Sequence, residues 1–150
     1  MLSPVPGITV STLIPAPPDR VWSEVERIED HITWMADAVA LEFLGESTRG
    51  VGTRALVETR IGPFRTSDVM EFTEWDPPHT MGVAHRGLFT GTGRFTLQPV
   101  GGGSTRFTWT EDLRFPWWLG GPAGALVARP ILRAVWRGNL RRLRKRFGSG

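Results

Sequence analysis

Cysteine is absent from the 150 residues, which excludes disulfides, thiolate zinc sites, iron–sulfur clusters and a cysteine nucleophile. Tyrosine is absent too, lysine occurs once, and no acidic residue follows Asp112. The uncharged stretch 115–128 is too short and too rich in Gly and Pro to span a bilayer, and residues 1–14 lack the basic start of a secretory leader. These absences lead us to expect a soluble, cytoplasmic chain. With 40% hydrophobic and 22% charged residues, composition favours a globular protein over a disordered one. The length suits a single domain spanning residues 1–150.

Charge is unevenly placed. Residues 129–150 carry seven arginines and Lys145 with no acid, whereas the first 128 residues hold 10 basic and 15 acidic side chains. The basic balance therefore belongs to the C-terminal segment and not to the body.

Apolar periodicity predicts a strand over 8–14, where Ile8, Val10, Thr12 and Ile14 alternate. Pro15, Pro17 and Pro18 end it and open a short helix bearing Val21, Trp22, Val25 and Ile28 on one side. A second short helix is expected around Ile32, Trp34 and Met35. Six further strands follow, near 39–45, 52–61, 64–75, 80–85, 93–99 and 105–113, separated by turn-forming clusters of Gly, Pro, Ser and Asp. Short connections imply an antiparallel meander. After Pro116 the period becomes helical: Leu132, Trp136, Leu140, Leu143 and Phe147 form an apolar stripe beside a stripe of arginines, with Pro130 expected to interrupt or kink the helix near its start.

Local wording points to a family. The segments Ala16-Pro17-Pro18-Asp19-Arg20-Val21-Trp22, Gly50-Val51-Gly52-Thr53, Glu74-Trp75-Asp76-Pro77-Pro78-His79-Thr80 and Gly103-Ser104-Thr105-Arg106-Phe107-Thr108-Trp109 resemble, in this order, those of the START-like (SRPBCC) superfamily. The likeness is to its polyketide cyclase/dehydrase and lipid-transport branch. It implies an α+β helix-grip fold: a seven-stranded, bent antiparallel sheet wrapped around a long C-terminal helix, with two short helices after the first strand. It also implies an internal cavity for a small hydrophobic or amphipathic ligand such as a lipid, a polyketide or an aromatic metabolite. The alternative it carries is a polyketide aromatase/cyclase or dehydratase.

Chemistry readable from the residues is sparse. His31, His79 and His85 lack metal-ligand spacing, so no metal is expected. Gly-x-Ser-x-Gly is absent, and Gly91-Thr92-Gly93 and Gly101-Gly102-Gly103 read as hairpin turns and not as phosphate loops, so no cofactor is expected. Strand parity turns Phe107, Trp109 and Glu111 to the concave face, making Glu111 a candidate catalytic acid or base that His85 could meet. The competing readings pair Glu111 with Arg54 or Arg94 and leave His85 at an exposed strand end. Parity and helical phase select Trp34, Val57, Met70, Val83, Phe95, Trp109 and Leu126 as cavity-lining, ligand-binding residues. Trp117-Trp118-Leu119 reads as a lid, a membrane wedge or a staple for the helix entry. The arginine stripe reads as a solvated face or as a peripheral contact with anionic membrane. No nucleic-acid partner is expected, and the chain is expected to be a monomer or weak dimer.

Overall fold

The computed structural model describes residues 7–115 and 117–148. Strand β1 (Ile8–Ile14) leads into α1 (Pro18–Val25), whose first turn opens on Pro18 with Asp19 beside it. Val21, Trp22 and Val25 are buried along one side of α1, as the sequence predicts, but α1 ends at Val25, and Ile28, also buried, opens the next segment instead. A 3₁₀ segment (Ile28–Thr33) follows. It ends before Trp34 and Met35, and Ile32 is exposed, so the second short helix is displaced toward the N-terminus from its expected centre.

Six strands come next: β2 (Ala38–Phe43), β3 (Arg54–Ile61), β4 (Phe64–Asp76), β5 (Thr80–Arg86), β6 (Thr90–Val100) and β7 (Ser104–Arg114). Every pairing is antiparallel and the sheet order is β1-β7-β6-β5-β4-β3-β2. The meander is therefore closed at one edge by the first strand. Register shifts occur between Ala38 and Ala40 and between Phe72 and Glu74. Such bulges increase local twist and bend a sheet.

A 3₁₀ turn at Trp117–Leu119 precedes α2 (Gly121–Lys145). Pro130 lies inside α2, which runs through it unbroken, so of the expected interruption or kink the interruption does not occur. Pro130 removes the N–H that would reach the Leu126 carbonyl, and Leu126 is itself 60% exposed. The predicted apolar stripe of α2, from Leu132 to Phe147, is buried against the concave sheet face together with β1 and β7 residues. Complete burial of a side chain such as Leu140 or Leu143 contributes roughly 1.5–3 kcal/mol.

One residue of that buried face is polar. Asn139 is fully buried, donating from Nδ2 to Asp37 Oδ1 at 2.7 Å and accepting at Oδ1 from the Ala36 N–H at 2.9 Å and from Arg142. Arg142 also donates to the Trp34 carbonyl at 3.0 Å. The link between the 3₁₀ segment and β2 is thus pinned to α2. Asn139→Ala leaves Asp37 and the Ala36 N–H short of a partner, and is expected to lower stability by about 1–3 kcal/mol in urea unfolding at pH 7. An unchanged midpoint would show that water replaces the amide at no cost.

Candidate functional site

Between the bent sheet and α2 lies a cavity of about 410 Å³. Its sheet wall follows the period of two: Ala55, Val57, Thr59 and Ile61 from β3, alternate residues of β4 from Phe64 to Phe72, and Met81, Val83 and His85 from β5. Phe95 on β6 stands opposite Trp109 on β7, completing the wall. The helix contributes Ala128, Ile131, Leu132 and Trp136. Trp109 stacks on Trp136 with ring centroids 5.1 Å apart, which joins sheet to helix.

Of the seven residues selected from sequence, Val57, Met70, Val83, Phe95 and Trp109 line this space, and two do not. Trp34 is 1% exposed and lies behind the wall, with its ring 6.0 Å from Phe95 and 6.3 Å from Trp109. It comes after the 3₁₀ segment, where helical phase no longer predicts direction. Leu126 is 60% exposed on the outer face of α2.

Glu111 and His85 meet inside the cavity. Both are buried, and His85 Nε2–H donates to Glu111 Oε2 at 2.7 Å while Trp109 Nε1–H donates to Oε1 at 3.0 Å. The two residues stand on β7 and β5 with β6 between them, about 9–10 Å from strand to strand. On β6, Gly91 lies opposite His85 and Gly93 opposite Glu111, and Gly93 is the residue that leaves room for the contact. A Cβ on Gly93 would fall 2.5 Å from Glu111 Oε1 and 2.8 Å from Oε2. Gly91 and Gly93 are strand residues and not the hairpin turn that their composition suggests: Gly93 clears the space for this pair, whereas a Cβ on Gly91 would strike the Asp112 carbonyl. Arg94 pairs instead with Glu74 at 2.9 Å, and Arg54 makes none of the ion pairs among the described residues.

Burial opposes a charge on His85, but the Glu111 carboxylate, its hydrogen bond and the nearby Asp68 outweigh it and raise the imidazole above its ordinary 6.5. His31 behaves in the opposite way. Burial holds it down at about 4, against the pull of the Val25 carbonyl, to which Nε2–H donates at 2.6 Å. At neutral pH, His31 is thus an uncharged part of the wall.

Sequence reasoning missed Asp37 and Asp68, which also line the cavity. Asp37 accepts from Asn139 and, at 3.3 Å, from Trp136 Nε1–H. Asp68 accepts from the Leu88 N–H at 2.7 Å, and a side chain at Gly87 would collide with its carboxylate. The available signals were Asp68's shared parity with Met70 and Phe72, and a lone Asn on the apolar stripe of α2. Among the described residues, no group of three His, Asp or Glu side chains converges as a metal site requires, and no helix is long and apolar enough to cross a membrane.

A family model described as polyketide cyclase / dehydrase and lipid transport matches residues 6–148. No curated protein matches the sequence. Among solved structures, a START superfamily protein from Mycobacterium smegmatis superposes with a TM-score of 0.79 at 13% identity, over 95% of this chain and 97% of that one. The Zhui aromatase/cyclase from Streptomyces gives 0.71 at 16% identity, over 93% and 92%. A protein from Thermus thermophilus gives 0.72 at 22% identity, over 95% and 97%. At these identities the likeness is one of fold.

Proposed function

Because the chain belongs to the polyketide cyclase/dehydrase and lipid-transport family, we propose that it holds one small hydrophobic or amphipathic molecule between sheet and helix. The observation that carries this reading is the cavity itself. Its volume of about 410 Å³ falls in the range of small-molecule sites, roughly 300–1,000 Å³, and its wall is mainly apolar with a few placed polar groups. Three acids, Asp37, Asp68 and Glu111, line it, and the arginine at its rim is engaged by Glu74. An ionised fatty acid would meet like charge there. A neutral ligand with hydroxyl or keto groups, such as a polyketide, an aromatic metabolite or an uncharged lipid, meets acceptors and donors instead.

Two measurements test the reading. Native mass spectrometry of freshly purified protein is expected to show a retained small molecule. An environment-sensitive apolar dye is expected to bind, to quench tryptophan emission and to be displaced better by a neutral polyaromatic than by a fatty acid. Val83→Trp, which projects an indole into the cavity, should weaken the dye by at least tenfold, at about 1.4 kcal/mol for each factor of ten. Dye affinity unchanged in that variant would place the binding elsewhere and remove the cavity as the site.

A second reading, a polyketide aromatase/cyclase or dehydratase, is favoured by one observation, the buried His85–Glu111 pair. Such a pair can take a proton from a carbon flanked by ketones and deliver one to a leaving hydroxyl, so that a C=C bond forms and water departs. Most of the acceleration would come from holding the chain in a reactive fold, with roughly 10²–10⁴-fold from proton transfer.

A further inference from the structure

The outward face of α2 changes character partway along its length. Ala123, Leu126, Val127, Pro130, Ile131 and Ala134 are exposed, with Leu126 at 60%, Val127 at 72% and Ile131 at 54%. Arg137, Arg141, Arg144 and Lys145 continue the exposed surface, and none of the four forms an ion pair among the described residues. At 100° per residue these positions fall on one side of the helix, opposite the buried stripe. The turn just before the helix adds two indoles, Trp117 at 87% and Trp118 at 59% exposed.

Singly scattered exposed aliphatics need no explanation, but five large apolar side chains grouped at one end of a helix do. The patch also borders the cavity, since Ile131 belongs to both and Ala128 and Phe115 line the space beside it.

The choice of partner follows from the charges. A second copy of the chain could cover the apolar half, but α2 offers no acid for the four cations to meet, because no acidic residue follows Asp112. An anionic bilayer supplies both complements in the order the helix needs them. Hydrocarbon lies beneath the surface for the apolar half, and acidic headgroups lie at the surface for the cationic half. Indoles favour the boundary between the two, with their bodies in the apolar layer and their N–H groups near the headgroups. The exposed apolar positions from 123 to 134, between which Arg129 and Arg133 are partly buried, span about 17 Å at 1.5 Å per residue, enough for the first turns to dip below the headgroups while Arg137, Arg141, Arg144 and Lys145 stay above.

We propose that this face docks the protein on anionic membrane, with the N-terminal half of α2 and the Trp117–Trp118 turn entering the bilayer surface and the cavity mouth held against it. Docking does not depend on the identity of the cavity's ligand. It gives an apolar molecule a path between bilayer and cavity that avoids bulk water.

The test is flotation of the full chain with vesicles of neutral phosphatidylcholine, or of phosphatidylcholine containing phosphatidylglycerol. The protein should bind the anionic vesicles at least tenfold more tightly than the neutral ones. Raising the salt from about 0.1 M to about 0.5 M should largely remove the preference, because the screening length falls below about 10 Å. Trp117→Ala/Trp118→Ala and Arg137→Glu/Arg141→Glu, all at exposed positions, should each weaken binding at least tenfold while retaining the parental circular dichroism. A blue shift of tryptophan emission on adding vesicles should disappear in the first variant. Val83→Trp should bind vesicles like the parent, which separates failure of docking from failure of the cavity reading. Equal partitioning to both vesicle types, no partitioning to either, or parental binding by both surface variants would overturn the proposal. So would a concentration-dependent dimer that vesicles do not dissociate and that Leu126→Ser/Val127→Ser abolishes, since a second copy would then own the patch.

Discussion

Glu111→Gln is expected to keep apolar ligand binding close to the parental level while lowering any turnover of a cyclisable polyketide by about 10²–10⁴-fold. The amide matches the carboxyl in size, and its oxygen can still accept from Trp109 Nε1–H, the contact now made at 3.0 Å. It cannot take up a proton, and its NH₂ can donate to His85 only when the imidazole is neutral with its proton on Nδ1. The same change removes both influences of Glu111 that raise His85, leaving burial opposed by Asp68 alone. The His85 midpoint, followed by imidazole NMR, is therefore expected to move from above 6.5 to below it. Stability follows the same sign. Because the folded-state value lies above the unfolded one, the stabilisation from His85 is complete below about pH 6.5 and is lost as pH rises through the folded value. Glu111→Gln should abolish that alkaline loss. A His85 midpoint unmoved by the substitution would mean that the two groups do not share a proton, and would leave the plain carrier as the better account.

Acidification is expected to cost the fold about 3 kcal/mol through His31, between its ordinary 6.5 and the value of about 4 that burial imposes. Here the folded-state value is the lower one, so the stabilisation is present above pH 6.5 and is lost as pH falls toward 4. Burial is the main cause, and Arg49 adds to it. The Val25 carbonyl and the Glu29 and Asp30 carboxylates pull the other way without prevailing. His31→Gln retains a donor for the Val25 carbonyl and removes the titration. In urea unfolding at pH 7 and pH 4, the parent should lose about 3 kcal/mol more than this variant, all other titrating groups being common to both. Equal losses would show that His31 takes up a proton in the folded state without penalty.

Much of the cavity wall was legible because strand parity is a local property. Val57, Met70, Val83, Phe95 and Trp109 lie on runs whose alternation specifies a face, and a face of a bent sheet around a helix is a cavity wall. Trp34 and Leu126 were misplaced where that reasoning had no hold, one in an irregular link and the other on a helix, where a period of two does not apply. Gly91 and Gly93 show a different limit. Glycine between short polar residues is what a turn looks like, and nothing local says that an acid and an imidazole on the two flanking strands need the space at Gly93. Asp37 was invisible for the same reason, since its partners Asn139 and Trp136 are about 100 residues distant in sequence.

The order of strands and helices, the buried stripe of α2 and the gathering of positive charge at the C-terminus were determined by the sequence alone, because each rests on periodicity or composition within a few turns of chain. The family resemblance lay in short segments and was legible there as well. The tertiary structure decided what depends on contacts across the sheet: that His85 reaches Glu111 past Gly93 of the strand between them, that Asn139 satisfies Asp37, and that Leu126, Val127 and Ile131 of α2 are left exposed. Those outcomes depend on pairing register and sheet curvature, which are set by the whole set of strands acting together.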